Sequence, residues 1–328
     1  GEAVIRVKTS LDLPNPALRD WPALRIQHTP HPMVGEKYKV WPLLDFQSAI
    51  EDHLQGVTHI VRGKDLMDST RKQTILYGHF GWDYPETLYW GRVKVLEFGG
   101  FSTSGMRMDI SEGKYSGWDD PRLPTISSLR KRGFSPEAIR EFWLELGLTQ
   151  KDISIPMQSI EAKNSSTIDS GSERRSFVRG PIEVKIKIPD AVENYVAEVS
   201  VPKHPDGTVS GMREWGAISE RIYLEGDDID VVDIRLKGFA DVKIVDGVAE
   251  VISNERTDRR TIAHWLPLEI SREAVLEIPQ MDEIRKVSGV IEDYELVEGM
   301  VVQLERIGFA KIKEIPNNGA IVMSWLHR

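Results

Sequence analysis

Ser102-Thr103-Ser104-Gly105-Met106-Arg107, followed by Gly117-Trp118-Asp119-Asp120-Pro121-Arg122-Leu123-Pro124-Thr125, is the stretch on which the reading of this chain turns. The first half is rich in hydroxyls and has little side-chain bulk. It reads as a loop able to bring backbone N–H groups and hydroxyls close to phosphate oxygens. The second half reads as a rigid polar turn, because Pro121 and Pro124 each fix a backbone angle and Asp119 and Asp120 favour turns or caps. It runs into the basic helical stretch Leu129-Arg130-Lys131-Arg132-Gly133. A phosphate loop followed by a stiff basic helix implies a nucleotide site beside a nucleic-acid contact. The bland alternative is an ordinary surface loop and turn.

Upstream, helices and strands alternate. Ala3-Val4-Ile5-Arg6-Val7-Lys8 has the period of a strand. Phe46 to Leu54 has helical spacing and stops at Gln55-Gly56. Val57-Thr58-His59-Ile60-Val61-Arg62 reads as a short buried strand, and residues 65–80 as an amphipathic helix with Leu66, Ile75, Leu76 and Phe80 apolar. This order indicates an α/β domain with a parallel sheet. Downstream, Ser135-Pro136-Glu137 opens a helix carrying Ile139, Phe142, Trp143 and Leu146 on one face. Residues 161–176 read as a polar loop, with Asn164-Ser165-Ser166-Thr167 and Ser170-Gly171-Ser172 as a mobile connector. After about residue 178 the period becomes two. Short strands are expected at 182–188, 222–224, 231–236, 242–245, 248–252, 301–304 and 321–323, and the turns between them argue for β-barrels.

The 328 residues allow two or three domains, and 40% hydrophobic with 28% charged residues is ordinary for a globular protein. No apolar run is long enough to span a membrane. The absence of cysteine excludes disulfides, thiol nucleophiles and thiolate zinc sites within the chain and fits a cytoplasmic protein. A net charge of −9 argues mildly against a nucleic-acid partner. Basic clusters are nevertheless present at Arg71-Lys72, at Arg130-Lys131-Arg132, at Arg174-Arg175 with Arg179, and at Arg256 with Arg259-Arg260. His59, His79 and His264 have no metal-ligand spacing, so no metal site is expected, and neither a Ser/His/Asp triad order nor a Walker loop is found.

Arg62 ends the expected strand, and ligands bind beyond the carboxyl ends of strands in open α/β sheets. An arginine there can clamp a carboxylate through two parallel hydrogen bonds; an ion pair with Asp45 or Asp65 is the alternative. Asp45 itself reads either as a ligand for an amino group or as a helix N-cap.

The ordered pieces resemble the class I aminoacyl-tRNA synthetases of the glutamate/glutamine group, where a Ser-Lys-type loop precedes a Gly-Trp-Asp-Asp-Pro-Arg turn and a basic helix. In Phe101-Ser102-Thr103-Ser104 the usual lysine is replaced by Thr103, a departure that looks like the archaeal branch. It leaves Arg107 as the nearest cation for the ATP phosphates. Trp41-Pro42-Leu43-Leu44-Asp45-Phe46 resembles the family's Tyr-Pro-Thr-Tyr-Asp-Phe element, with Leu44 where a tyrosine usually meets the amino acid. Gly56 to Arg62 resembles the segment whose arginine reads the side-chain carboxylate of glutamate, so Arg62 favours glutamate over glutamine. Arg92-Val93 resembles the pair that brackets adenine. Ala263-His264-Trp265-Leu266-Pro267 and Val302 to Phe309 look like family barrel elements. The family's His-x-Gly-His element is not present, so the chain resembles a C-terminal portion, incomplete for catalysis by itself.

The resemblance implies an α/β plus all-β architecture. Residues 1–36 would be a remnant of an acceptor-stem-binding insertion, and 37–116 the second half of a Rossmann-type catalytic domain with its ATP loop. Residues 117–177 would be a helical stem-contact domain, and 178–328 the β-barrel anticodon-binding domains. It implies ATP-dependent ligation of L-glutamate to tRNA(Glu) through glutamyl-adenylate, with Mg²⁺, in a cytoplasmic monomer, and leaves tRNA(Gln) open as a second acceptor. ATP would meet Gly63, Arg92, Val93, Ser102, Thr103, Ser104 and Arg107, with the three hydroxyl residues catalytic. Glutamate would meet Asp45 and Arg62, and the tRNA would meet Arg130, Lys131 and Arg132. Trp215, Tyr223, Arg235, Lys237 and Arg256 are available to read the anticodon. A glutamine–tRNA ligase and a non-catalytic tRNA-binding fragment are the alternatives.

Overall fold

The structure is a computed structural model that describes residues 3–189, 192, 198–218, 220–256 and 260–328. The chain divides into two compact units, Gly1–Lys94 with Leu146–Ile155 and Val95–Glu145 with Pro156–Arg328. None of the described helices is long and apolar enough to cross a membrane.

In the first unit, Val4–Arg6, Pro22–Ile26 and Val40–Pro42 form an antiparallel sheet. Helices α1 (Leu44–Leu54) and α2 (Met67–Phe80) follow. Val7, Trp21, Ala23, Ala49, Leu76 and Tyr77 make the core, and the Tyr77 hydroxyl donates to the Ala49 carbonyl at 2.9 Å. Phe80 lies outside this core. It is half exposed and stacks on Trp82 at 4.4 Å, because Gly81, at φ 69, turns the chain just past it. The strand His59–Gly63 pairs in parallel with Glu86–Trp90. It is less buried than its sequence suggested: Ile60 is covered, but Val61 is 56% exposed. A strand alternates its faces, and here only one face is packed.

The second unit carries helices α3 (Thr103–Ser111), α4 (Ile126–Arg132), α5 (Pro136–Leu146, whose last residue belongs to the first unit) and α6 (Met157–Ile168). Residues 161–176 were expected to be a polar loop with a mobile connector, but 161–168 belong to α6. Its serines are indifferent helix formers, but Met157, Ile160 and Asn164 bury one face and override that preference. Asn164 is fully buried. Its Oδ1 accepts from the Ser135 N–H at 2.8 Å, and its Nδ2 lies 2.7 Å from His327 Nε2.

Because the amide nitrogen can only donate, that ring nitrogen accepts, and the proton sits on Nδ1 facing the Arg328 carbonyl. Burial lowers the pKa of this imidazole in the fold, with the charge of Arg132 adding to the effect. The unfolded chain therefore takes up the proton first. The stability this site contributes is complete at neutral pH and is lost as pH falls below the ordinary histidine value of about 6.5. Urea midpoints should fall between about pH 7 and 5.5 in the natural protein, and fall less in His327→Gln. Equal slopes in the two proteins would show that His327 does not titrate against the fold.

Two seven-stranded sheets follow. The inner one runs, in spatial order, Thr261–Ala263, Asp233–Leu236, Asp241–Val245, Val248–Ser253, Pro181–Lys187, Arg221–Glu225 and Trp265–Pro267. The outer one runs Glu173–Arg175, Val301–Leu304, Gly308–Glu314, Ile321–His327, Ser271–Pro279, Ile284–Glu292 and Phe177–Arg179. In each, the two edge strands are consecutive in the chain and separated by one residue, His264 in the inner sheet and Ser176 in the outer. The chain itself thus crosses the seam of each barrel. The strands expected from 182–188 to 321–323 all form, some with shifted ends. The longest pair, Ser271–Pro279 with Ile284–Glu292, was not expected.

Candidate nucleotide and amino-acid sites

The Ser102 tract is not a loop. Ser102 is the N-cap of α3, and its Oγ accepts from the Gly105 N–H at 3.1 Å. Thr103, Ser104, Gly105, Met106 and Arg107 therefore lie in the first turns of a helix. A serine with a free hydroxyl and extended φ/ψ competes well for that role, and composition alone had concealed it. The change keeps the anion-binding potential, since the first N–H groups of a helix point outward with a positive dipole end.

A cleft of about 320 Å³ opens there, lined by Phe98, Gly99, Phe101, Ser102, Lys114 and Tyr115 among others. Arg107, the expected cation, is exposed and does not line the cleft. Lys114 does, brought there because Gly113, at φ 79, reverses the chain after α3. Lys114 was not among the residues expected to meet ATP, although Gly113-Lys114 lies just ahead of the turn that begins at Gly117.

The turn Gly117–Thr125 explains why Lys114 is held. Asp120 is buried and accepts from Ser116 N–H at 2.9 Å, Arg122 N–H at 3.0 Å and Arg122 Nη2 at 2.7 Å. Burial alone would raise its pKa, but these hydrogen bonds outweigh burial and hold the carboxyl well below the usual range. The same guanidinium donates to the Lys114 carbonyl at 2.8 Å and covers the Tyr115 ring at 4.8 Å. Thr125 then caps α4 by accepting from the Ser128 N–H.

In the first unit, Arg62 pairs with neither Asp45 nor Asp65. One Nη donates to Gln73 Oε1 at 2.9 Å and lies 3.4 Å from Thr70 Oγ1. Its Nε and other Nη have no partner among the described residues and are not sealed from solvent. Asp45 is not the N-cap of α1. Leu43 holds that position, and Asp45 stands in the first turn, bound to Lys72 at 2.8 Å. Leu44 is 64% exposed. Gly63 opens a short 3₁₀ turn, Lys64–Leu66, where an added Cβ would meet the Asp65 carboxylate. The Arg92 N–H donates to Asp152 Oδ1 at 2.7 Å, and Val93 begins the strand Val93–Val95.

The basic residues separate sharply. Arg130 is exposed with no partner among the described residues, and Lys131 is exposed and pairs with Asp119 at 2.9 Å. Arg132 is withdrawn from that face: it is 5% exposed and donates to the Leu326 carbonyl at 2.6 Å. Burial lowers its pKa to about 10. Position 132 falls on the side of α4 that also buries Leu129.

Arg174, Arg175 and Arg179 are likewise committed, to Asp169, Glu173 and Glu225, so that cluster is not an open basic surface. Arg71 pairs with Asp68. Trp215 is not available for base stacking. It is buried, and its indole N–H donates to Glu292 at 2.8 Å. Arg235 is bound to Asp241 at 3.0 Å, Tyr223 packs half-buried on the inner barrel, and Lys237 pairs with Glu305 at 2.6 Å. Arg256 remains exposed, and Arg259 lies outside the described residues.

Arg213, buried beside Trp215, bonds Glu292 and, at 3.3 Å, Glu305. Burial alone would raise the pKa of Glu305, but His264 and Lys237 hold it near 2. The seam residues His264 and Ser176 both border this ionic cluster. Among the described residues, no group of three side chains could hold a metal ion.

Comparison with known proteins matches residues 1–170 to the family "tRNA synthetases class I (E and Q), catalytic domain" and residues 172–261 to "tRNA synthetases class I (E and Q), anti-codon binding domain". The chain is 43% identical over 343 residues to a glutamate–tRNA ligase of Methanothrix thermoacetophila, covering 100% of this chain and 58% of that protein. Against the glutamate–tRNA ligase of Archaeoglobus fulgidus it is 43% identical over 321 residues, with coverages of 95% and 56%. Against that of Pyrococcus furiosus it is 41% identical over 342 residues, with coverages of 98% and 58%. The chain thus spans somewhat more than half the length of these relatives.

Proposed function

The chain belongs to the class I tRNA synthetases of the glutamate and glutamine group, and from that premise we propose that it forms part of an enzyme that activates L-glutamate with ATP and transfers it to tRNA(Glu). The observation that carries the choice of glutamate is Arg62, which keeps two unpaired donor groups facing solvent at the end of its strand. A carboxylate accepts such a fork; the neutral amide of glutamine gains much less from it. The names of the relatives point the same way.

In this reading the phosphates of ATP meet Ser102, Thr103 and Ser104 at the α3 N-terminus, and Gly63, Arg92 and Val93 are kept as the further ATP contacts that the resemblance implies. Lys114 supplies the cation that Thr103 cannot. Mg²⁺ would come with the nucleotide and neutralise phosphate charge. Asp45 faces the α-amino group, and no covalent enzyme nucleophile is called for; positioning and charge stabilisation suffice. Residues 37–116 serve as the second half of the catalytic domain and 1–36 as part of the acceptor-stem insertion. Residues 117–177 meet the tRNA stem through Arg130 and Lys131, and 178–328 meet the anticodon. The protein is proposed to act as a cytoplasmic monomer.

The test is glutamate-dependent exchange of pyrophosphate into ATP by the full-length protein, followed by transfer of labelled glutamate to purified tRNA(Glu) and tRNA(Gln). Exchange that runs equally well with glutamine would sink the reading. Lys114→Ala should raise the KM for ATP by about fivefold or more, as expected for a lost contact to a charged group, and Arg107→Ala by less than about twofold. The reverse order would return the phosphate cation to Arg107.

A further inference from the structure

Gln73 is 1% exposed, and every hydrogen-bonding position on its amide is filled. Its Oε1 accepts from Arg62 at 2.9 Å and from the Tyr84 hydroxyl at 2.7 Å. Its Nε2 donates to Ser48 Oγ at 2.6 Å and to the Asp45 carbonyl at 3.1 Å. The carbonyl can only accept, so the amide has one possible orientation. Burial keeps the Tyr84 hydroxyl protonated, raising its pKa, so both groups facing Oε1 are donors. The neighbouring residue on α2, Lys72, binds the Asp45 carboxylate.

We infer that Gln73 is the positioning residue of the amino-acid site, setting at once the aim of Arg62 and the place of Asp45, and through them the preference for a side-chain carboxylate. This rests on the reading of Arg62 as the group that meets glutamate. A neutral acceptor at position 73 holds one Nη of Arg62 without cancelling its charge. The remaining donors are then left for the substrate, and the carboxylate that acts on Arg62 is Asp52, through space and without a hydrogen bond. A carboxylate in the same place would neutralise Arg62 and repel the Asp45 carbonyl. The same amide also ties the two ends of the site together, so the spacing between the side-chain and α-amino contacts is fixed by one buried group.

The experiment is pyrophosphate exchange by the full-length protein with Gln73→Glu, Gln73→Met, Tyr84→Phe and Arg62→Ala, each with glutamate and with glutamine. Thermal unfolding of each variant is measured alongside. Gln73→Glu is expected to lower the ratio of glutamate to glutamine kcat/KM by more than about tenfold. Gln73→Met should raise the glutamate KM by about tenfold with the ATP KM unchanged. Tyr84→Phe, which leaves the amide in place, should act in the same direction by about twofold to fivefold. If the position 73 variants fail to fold, Tyr84→Phe still decides the question: an unaltered glutamate KM there overturns the inference. Equal losses with both amino acids and with ATP would show a merely structural role and overturn it too. If Arg62→Ala shifts the glutamate KM but Gln73→Glu leaves the selectivity ratio unchanged, Gln73 alone is wrong. If Arg62→Ala shifts nothing, the reading beneath it fails first.

Discussion

Replacing Arg62 with alanine is expected to raise the glutamate KM of the full-length protein by at least about thirtyfold while moving the ATP KM by less than about twofold. Removing one partner of a desolvated, hydrogen-bonded charge pair costs about 2–5 kcal/mol, and each 1.4 kcal/mol is about tenfold. The lower end of that range applies here, because Arg62 is only partly buried in the absence of substrate. Arg62→Lys should recover little, since an ammonium cannot offer two parallel donors. An unchanged glutamate KM in Arg62→Ala would remove the residue from the site.

The second large effect is on stability. Arg213→Met should destabilise the barrels by about 3–5 kcal/mol, the usual consequence of leaving a buried charge without its partner. The stranded group would be Glu292, fully buried and left with only Arg175 at 3.7 Å and the Trp215 indole; Glu305 keeps Lys237 and His264. Denaturant unfolding followed by tryptophan fluorescence reads this directly, because Trp215 and Trp265 lie in the same core, 5.3 Å apart. Arg213→Met combined with Glu292→Gln should recover part of the loss. A shift below about 1 kcal/mol in the single variant would mean that water reaches these ions in place of the guanidinium.

The features most legible in the sequence were those set by local chemistry. Helix stops at Gln55-Gly56, the Ser135-Pro136 start and the alternation at 182–188 all depend on residues close by in the chain, and all appear in the fold. The hairpin at 271–292 was missed because Ala274-Val275-Leu276 is a continuous apolar run between Glu273 and Glu277, which has no clear period of two. Roles that depend on distant partners were the least legible. Arg132 and Trp215 looked like surface groups because nothing near them in sequence announces Leu326 or Glu292, which occupy them in the fold. Arg62 was legible as a candidate; Gln73, which holds it, was not, because a glutamine inside a helix gives no local sign that it is buried.

The seams at Ser176 and His264 also order the events of folding. Every strand of the inner barrel lies between Pro181 and Pro267, whereas the outer barrel begins at Glu173 and is completed only by strands from Ser271 onward. One barrel is thus inserted within the other. Glu173–Arg175 must wait for Val301–Leu304 before it can pair, and closing so long a loop is entropically costly while the intervening chain is disordered. Once the inner barrel has formed, its two ends are separated by a single strand, since Pro181 pairs with Glu225 and Pro267 with Ile222 on the Arg221–Glu225 strand. The remaining gap is then short. During synthesis the inner barrel can form as soon as Pro267 has left the ribosome, and it serves as the clamp that brings the two halves of the outer barrel together.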